Sequence, residues 1–420
     1  HLEWDHWTAK GARRAREGLA RLSNVRLDRL LPSHGAPVDS PGSALRETMK
    51  SLDGLISARD CICPGVEEEW LPLEEAAEGI FRLSPHLYQF GTNGYALVSR
   101  GGDALLVDPL PGDMERLRAA ADEMDIDNFA AATASHYHSD HVNGLEPARR
   151  ELGAEIWLHP AVERIATAPQ DWHRPWLPRR VEKPYRRLPR DSELRWNEYD
   201  IRAMPLPGQT RYHCGLLTEV DGQRVLFSGD NFHPPSLWGG SGGFCAFNEG
   251  YPSMYGRSAG RVLKLAPDII CAGHSSFYRF LPQHMQAVRQ WARRARDALR
   301  RLAPGEAWMA QYDCHAFDMR PYRNPASPGE SVRLRLHLRN HHGRRRTYVL
   351  RPDVPDGWKA AGGLRRLELA PGGRAEVPLE VQVPRAEKVG RYIIGVSALR
   401  DRRRLGQVAR ATVDVGGRSG

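Results

Sequence analysis

Four potential metal ligands lie within six residues of one another in the run Ser-His-Tyr-His-Ser-Asp-His. The run directly follows the apolar segment 129–134, which is predicted to be a short buried strand. Side chains two apart at a strand end point to the same side, so His136 and His138 can bind one ion. Where the chain turns, Asp140 and His141 can face a second ion nearby. Imidazole and carboxylate ligands at this density favour Zn²⁺, with Fe and Mn as alternatives.

Three later residues are candidates to complete the two sites. His213 comes after a turn that begins with Pro207 and Gly208, while Asp230 and His274 each end an apolar run. Taken singly, a histidine after a strand is more often a hydrogen-bonded structural residue. Together with the first cluster, the three supply the ligands that two ions would still lack.

The predicted chemistry follows from such a pair of ions. Two divalent ions that share a water lower its pKa toward neutrality and yield a hydroxide nucleophile. We expect this hydroxide to attack a carbonyl or phosphoryl centre, while Asp140 and Asp230 hold the ions and orient the nucleophile.

The elements around these residues indicate an α/β domain over residues 64–323. Residues 95–108 are predicted to form a β-hairpin, and apolar residues at helical spacing predict a helix over 114–124. Strands that alternate with helices after an opening hairpin are typical of layered α/β folds.

In this order, the motifs resemble those of the metallo-β-lactamase superfamily: His-x-His-x-Asp-His, then Pro-Gly-x-Thr with a following His, then Ser-Gly-Asp and Gly-His. The resemblance covers residues 80–302 and implies an αββα sandwich with the metals at one edge of its two sheets. It also implies a division of the ligands, with one ion bound by His136, His138 and His213, the other by Asp140, His141 and His274, and Asp230 bridging them. By the same resemblance, Asp108 steadies the ligand cluster from behind.

The sequence departs from the family pattern beside His213. Gln209 stands where the family usually has a histidine, and Tyr212 stands where a glycine commonly precedes the ligand. The stretch between His141 and His213 is long and rich in Trp, Pro and Arg, which suggests a lid over the site. Four side chains are candidates to steady an oxyanion or to donate a proton to the leaving group: Tyr137, Tyr212, His233 and Tyr278.

The resemblance narrows the predicted reaction. True β-lactamases of the superfamily generally have Cys or Ser at the position of Asp230, whereas thioesterases resembling glyoxalase II, lactonases and phosphodiesterases have Asp. We therefore predict a dinuclear zinc hydrolase for a small ester, thioester, lactone or amide. An iron-dependent sulfur dioxygenase of the same fold and a phosphodiesterase remain alternatives.

Two further regions flank this domain. Residues 1–63 are predicted to be helical around a Leu-Leu-Pro-Ser-His-Gly segment that contains His34, and a similar order recurs around His274. We interpret this region as the C-terminal remnant of a preceding metallo-β-lactamase-like unit, or else as a helical lead-in. Residues 324–420 alternate apolar and polar side chains in short strands, which predicts an all-β sandwich that resembles immunoglobulin-like modules.

Composition restricts the partners. The net charge of +9 comes mostly from arginines scattered along the chain, so nucleic acid is not the expected partner. No stretch approaches the roughly 20 apolar residues of a membrane-spanning helix. We expect a small-molecule substrate, with partner or surface binding left to the C-terminal domain. The resemblance of that domain to modules beside extracellular enzymes favours a location outside the cytoplasm.

Overall fold

The computed structural model describes residues 5–31, 37–60, 66–243, 246–302 and 308–416. The chain divides into two compact units. The first unit comprises His1–Thr167 and Pro175–Leu302, and the second comprises Ala168–Arg174 and Ala303–Gly420.

The first unit is built on two β-sheets. The eight-stranded sheet follows the chain order, with β1 Glu74–Ala77, β2 Ile80–Ser84, β3 Leu87–Phe90, β4 Gly94–Val98, β5 Asp103–Val107, β6 Asn128–Thr133, β7 Glu155–Leu158 and β8 Arg186–Arg187. The six-stranded sheet consists of β9 Ser192–Trp196, β10 Tyr199–Pro205, β11 Cys214–Val220, β12 Gln223–Gly229, β13 Ile269–Ala272 and β14 Ser276–Arg279. The predicted hairpin forms the antiparallel pair β4 and β5, and β5 to β8 are then parallel neighbours.

Eight described α-helices accompany these sheets. They are α1 Asp5–Ser23, α2 Pro41–Asp60, α3 Met114–Ala119, α4 Ser139–Val142, α5 Leu145–Leu152, α6 Pro160–Ala166, α7 Pro252–Leu265 and α8 Pro282–Leu302. Apolar side chains from both sheets, among them Leu97, Leu105, Leu216 and Phe227, form the core between the sheets. A second core lies between the first sheet and the helices that follow β5 and β6. The predicted αββα fold is confirmed.

Strands β5 and β6 illustrate why this layering results. Their residues are apolar at nearly every position, so both faces are buried, one against the other sheet and one against helices. Parallel strands buried on both faces have this composition. Both strands end at the same edge of the sheet, which fixes where the polar residues that follow them must lie.

The N-terminal helices belong to the first compact unit rather than to a separate one. Helix α2 packs against α8, and its Leu45, Leu52 and Leu55 are buried. The interpretation of residues 1–63 as a remnant of a preceding unit stays a prediction. His34, on which that interpretation partly depends, lies outside the described residues.

The second unit contains a two-sheet sandwich. Its strands are β15 Phe317–Arg320, β16 Arg323–Ala326, β17 Ser331–Arg339, β18 Arg346–Asp353, β19 Lys359–Ala361, β20 Arg365–Leu369, β21 Arg374–Gln382, β22 Gly390–Arg400 and β23 Arg403–Val415. A short helix, α9 Trp308–Tyr312, precedes them. One sheet has the order β15-β17-β21-β19 and the other β16-β23-β22-β18-β20.

The alternating pattern that predicted this all-β region is seen in β17. Its Val332, Leu334, Leu336 and Leu338 are buried in the sandwich core, and the residues between them are not. The sandwich begins before the predicted boundary at residue 324, because β15 already pairs with β17. The strand β15 is too short for its alternation to be recognised in sequence.

The second unit also includes a segment from the middle of the chain. Arg174 lies 3.1 Å from Asp318 in a buried ion pair, and the ring of His173 stacks on Tyr322. Part of the sequence that we predicted to form a lid is therefore held by the sandwich.

Among the described helices, none combines the length and the apolar character that crossing a membrane requires.

Candidate metal centre

The first ligand motif occupies the turn that connects β6 to α4. The chain leaves the buried strand at Thr133, passes through His136 and His138 in extended backbone, and begins α4 at Ser139. Asp140 and His141 lie within α4, directly after this extended segment. All three histidines of the motif are buried.

Backbone hydrogen bonds join this turn to the second sheet. The N–H of Cys214 donates to the carbonyl of Ser135 at 2.7 Å, and His136 and His213 form an isolated antiparallel bridge. The two imidazole rings consequently stack with centroids 4.7 Å apart. The start of β11 therefore brings His213 beside His136.

The ends of β12 and β13 supply the remaining candidates. Two groups of three donor atoms lie close enough to hold an ion each: His136, His138 and Asp230 in one, and Asp140, His141 and His274 in the other. The structure thus brings together the seven candidate ligands named from the sequence, with His213 stacked on the first group.

Asp230 lies between the two groups. One of its carboxylate oxygens, Oδ1, is 3.3 Å from His141 Nε2. The other, Oδ2, is 3.3 Å from His274 Nε2 and 3.9 Å from His136 Nε2. A carboxylate in this position can contribute an oxygen atom to each group.

Asp108 supports the cluster from behind, where the resemblance predicted it. Its Oδ2 is 2.9 Å from His141 Nδ1, and its two oxygens accept hydrogen bonds from the N–H and Oγ of Ser135, both at 2.6 Å. Asp108 therefore orients His141 directly and fixes the backbone that precedes His136.

Two glycines give the carboxylate room. A Cβ at Gly273 would collide with Asp230 Oδ1, and a Cβ at Gly229 would collide with Ser135 Oγ. Gly229 also has a φ of +50°, which favours glycine. These glycines explain why Gly precedes both Asp230 and His274 in the sequence.

Burial keeps one half of the cluster neutral. It lowers the pKa of His138 to about 4 and that of His213 to about 3, and it lowers the pKa of His136 well below its usual value. Neutral imidazole is the form that binds a metal ion. These three side chains are therefore in the ligating form at neutral pH.

The other half of the cluster has an excess of negative charge. Burial alone would lower the pKa of His141, but the carboxylates of Asp230 and Asp108 outweigh it and raise that pKa well above the usual value. Burial would likewise raise the pKa of Asp230, but His141 and His274 outweigh it and lower that pKa. The carboxylates thus favour positive charge at this point, which a bound cation would supply.

These residues fit a metal ion. The Nε2 atom of His213 is buried and has no hydrogen-bond partner among the described residues, although its Nδ1 is 3.0 Å from the carbonyl of Cys214. A buried imidazole nitrogen is rarely left unpaired. Imidazole and carboxylate donors, with the second ring nitrogen anchored, are the usual surroundings of Zn²⁺.

Three polar residues of the cluster did not emerge from the sequence motifs. Asn93 donates to the carbonyl of Asp140 and accepts from the N–H of His274, both at 2.8 Å. Ser135 links Asp108 to His136. Gln209, noted only as a departure from the family pattern, donates to Asp230. No local pattern marks such residues, because their partners come from distant parts of the chain.

The four candidate substrate residues are all buried, and each has structural contacts. The Tyr137 hydroxyl donates to Asn248 Oδ1 at 2.5 Å, and the Tyr212 hydroxyl donates to Glu249 Oε1 at 2.6 Å. The other two take part in contacts between β14 and the segment after Asp230. His233 Nδ1 is 3.2 Å from Ser276 Oγ, and the Tyr278 hydroxyl donates to the carbonyl of Phe232 at 3.3 Å. Their roles toward a substrate stay predictions.

The long stretch between His141 and His213 consists largely of strands and helices of the fold rather than of a lid. It contains β7, α6, β8, β9 and β10. Trp176, in this stretch, lies beside the cluster: its ring is 5.0 Å from that of His138, and the Trp176 carbonyl accepts from the N–H of Ser139.

A family model matches the part of the chain that holds the site. Residues 87–274 match the model described as the metallo-beta-lactamase superfamily. The matched region contains all seven candidate ligands and Asp108.

Curated relatives match over the same part of the molecule. The chain is 30% identical over 181 residues to a hydroxyacylglutathione hydrolase of Xanthomonas axonopodis pv. citri (strain 306). It is 29% identical over 181 residues to one of Xanthomonas euvesicatoria pv. vesicatoria (strain 85-10). Each match covers 43% of this chain and 59% of the relative, so the chain spans about three fifths of the length of these curated relatives.

Solved structures of metallo-beta-lactamases are also similar to this chain. One from Legionella gormanii, FEZ-1, has a TM-score of 0.43 and 15% identity, over 57% of this chain and 100% of that chain. Another, GOB-18 from Elizabethkingia meningoseptica, has a TM-score of 0.37 and 16% identity, over 57% of this chain and 94% of that chain.

Proposed function

We propose that this protein is a metal-dependent hydrolase that binds two zinc ions and acts on a small ester, thioester, lactone or amide. The position of Asp230 is the observation on which the proposal rests. Asp230 lies between two groups of imidazole and carboxylate donors: its Oδ1 is 3.3 Å from His141 and its Oδ2 is 3.3 Å from His274 in one group, while Oδ2 is also 3.9 Å from His136 in the other. The carboxylates of Asp230 and Asp140 and the neutral imidazoles around them are donors of the kind that divalent cations bind.

The residues of the chain prepare this site for catalysis. When bound, divalent cations lower the pKa of water and polarise an oxygen under attack. Asp230 and Asp140 provide the negative charge that holds the cations, and Asp108 fixes the orientation of His141. Rigid ligands of this kind do not have to reorganise during the reaction, which is the main source of electrostatic catalysis.

A thioester is the first substrate class to test. The curated relatives are hydroxyacylglutathione hydrolases, and the sequence has aspartate rather than Cys or Ser at position 230. The match covers only 59% of each relative, so the thioester assignment is drawn from the metal centre and not from the relatives' unmatched residues.

The test is a substrate panel with defined metal content. Zinc-loaded and iron-loaded protein would be assayed with acylglutathione thioesters, lactones, phenyl esters, amides, a phosphodiester and persulfides, with and without a chelator. Asp230→Asn would be compared with Asp221→Asn, a matched control whose aspartate contacts Ser84 and His86 instead.

We expect zinc-dependent hydrolysis of at least one carbonyl substrate, which is lost in Asp230→Asn and retained in Asp221→Asn. Hydrolysis that survives the chelator would contradict the proposal. So would oxygen consumption with a persulfide by the iron-loaded protein together with an inactive zinc form, since that outcome would identify a dioxygenase.

A further inference from the structure

Gln209 has an unusual set of contacts in the metal centre. Its side-chain Nε2 donates to Asp230 Oδ2 at 3.0 Å and to the carbonyl of Gly242 at 3.2 Å. The residue is 4% exposed, and its Oε1 has no hydrogen-bond partner among the described residues. A buried amide with only its donor end satisfied calls for an explanation.

The orientation of this amide is determined by its partners. A carboxylate oxygen and a carbonyl oxygen both accept hydrogen bonds, so only the NH₂ end of the amide can face them. Turning the amide over would bring three oxygens together in a buried environment. The hydrogen bond to Asp230 is therefore a fixed feature of the folded site.

The loop around Gln209 does not need this side chain to keep its shape. The N–H of Gln209 donates to Asn231 Oδ1 at 2.9 Å, and Thr210 Oγ1 donates to the carbonyl of Asn248 at 2.8 Å. A Cβ at Gly208 would collide with Asn231 Oδ1, so this glycine allows the close approach. The backbone is held by these contacts, which leaves the Gln209 amide to act on Asp230.

We infer that Gln209 is a positioning residue that holds the Asp230 carboxylate between the two donor groups and thereby sets the affinity for two metal ions. The inference rests on the proposed function, since it requires that two ions bind. The Gln209 amide occupies one lone pair of Oδ2, so the rest of the carboxylate faces the candidate ligands: Oδ2 lies 3.3 Å from His274 Nε2 and Oδ1 lies 3.3 Å from His141 Nε2. Without the amide, the carboxylate can rotate about its side-chain bonds and no longer spans both groups.

The test measures metal affinity rather than activity. Zinc-loaded full-length protein would be titrated with a chromophoric chelator to obtain the affinity for each ion. Gln209→Met keeps the length of the side chain and removes the donor. Gln209→Leu also removes the donor without adding a charge, and it serves if the Met variant does not fold. Asn324→Leu is the control, because its buried amide donates to the carbonyls of Pro321 and Thr412 in the second unit.

Loss of an outer partner of a metal ligand typically weakens metal binding about 10- to 100-fold. We expect Gln209→Met and Gln209→Leu to release at least one ion at a correspondingly lower chelator concentration, with circular dichroism unchanged, and Asn324→Leu to match the wild type. A folded Gln209 variant with wild-type affinity for both ions would overturn the inference. Wild-type protein that binds fewer than two ions would instead overturn the proposed function, and the same titration separates the two results.

Discussion

At the scale of single residues, the centre depends on how closely glycines allow charged side chains to approach. Gly273 has Asp230 Oδ1 and His141 Cε1 directly over its Cα, so that even one methyl group has no room. Buried sites of this density relax only partly when atoms are added, which costs typically about 1–3 kcal/mol. The displaced atoms here are candidate ligands, so the cost should appear in metal binding.

We therefore expect Gly273→Ala to lose at least one of the two zinc ions after dialysis, as measured by elemental analysis of the protein. Gly112→Ala is the matched control, because a Cβ at Gly112 meets no atom within 4 Å. Retention of both ions by Gly273→Ala would show that Asp230 does not hold its position between the donor groups.

Residue type and spacing indicated the seven candidate ligands, and the family resemblance added Asp108, but the other polar residues around them were not indicated. Six of the seven candidates could be identified because they follow an apolar strand, where the end of the sheet must expose a polar turn, and His213 because it follows the turn at Pro207 and Gly208. Gln209, Asn93 and Asn248 could not, because their contacts exist only once loops from distant segments have packed together. The same limit applies to Tyr137, because no sequence pattern indicates that its hydroxyl donates to the distant, buried Asn248.

At the scale of elements, two loops close over the ligand strands and contact each other. The loop that carries Gln209 and Tyr212 is held to the loop around Asn248 and Glu249 by side-chain hydrogen bonds and by the Arg211–Glu249 ion pair at 3.1 Å. Tyr137 joins the first ligand motif to the same loop through Asn248. These contacts connect three segments that the sequence separates widely.

This arrangement predicts that Tyr137→Phe acts mainly on stability. It leaves Asn248 Oδ1 without its donor, which costs typically about 1–3 kcal/mol of unfolding free energy. If the Tyr137 hydroxyl instead donated to an oxyanion, its removal would lower kcat about 10²- to 10³-fold. Urea unfolding and kcat on the best substrate of the panel distinguish the two roles.

Tyr185→Phe provides the control for that comparison, since its hydroxyl donates to Glu163 rather than to either loop. A large fall in kcat with unchanged stability in Tyr137→Phe would contradict the structural role and support the predicted substrate role. The reverse result would leave Tyr137 as a link between the loops.

At the scale of the whole molecule, the chain divides into two units with separate cores, and pH should act on them differently. In the second unit, burial and the neighbouring Arg400 and Arg346 guanidinium groups lower the pKa of His342 to about 4. The unfolded value is near 6.5. Because the folded state favours the neutral imidazole, its contribution to stability is present above about pH 6.5 and is lost as the pH falls toward 4.

We accordingly expect the sandwich of wild-type protein to unfold at lower urea concentration at pH 5 than at pH 7.5, and His342→Gln to reduce that difference. Pulse proteolysis, with peptides of residues 317–416 identified by mass spectrometry, reports on this unit alone. His337→Gln, which alters a more exposed histidine of the same unit, should keep the wild-type dependence. An unchanged pH dependence in His342→Gln would contradict the assignment.

Two cations that share Asp230 in the first unit would be visible in an anomalous difference map from a crystal of zinc-loaded protein, recorded at the zinc absorption edge. We expect two peaks, one beside His136 and His138 and one beside His141 and His274, with Asp230 near both. A single peak, or peaks away from these side chains, would contradict this expectation.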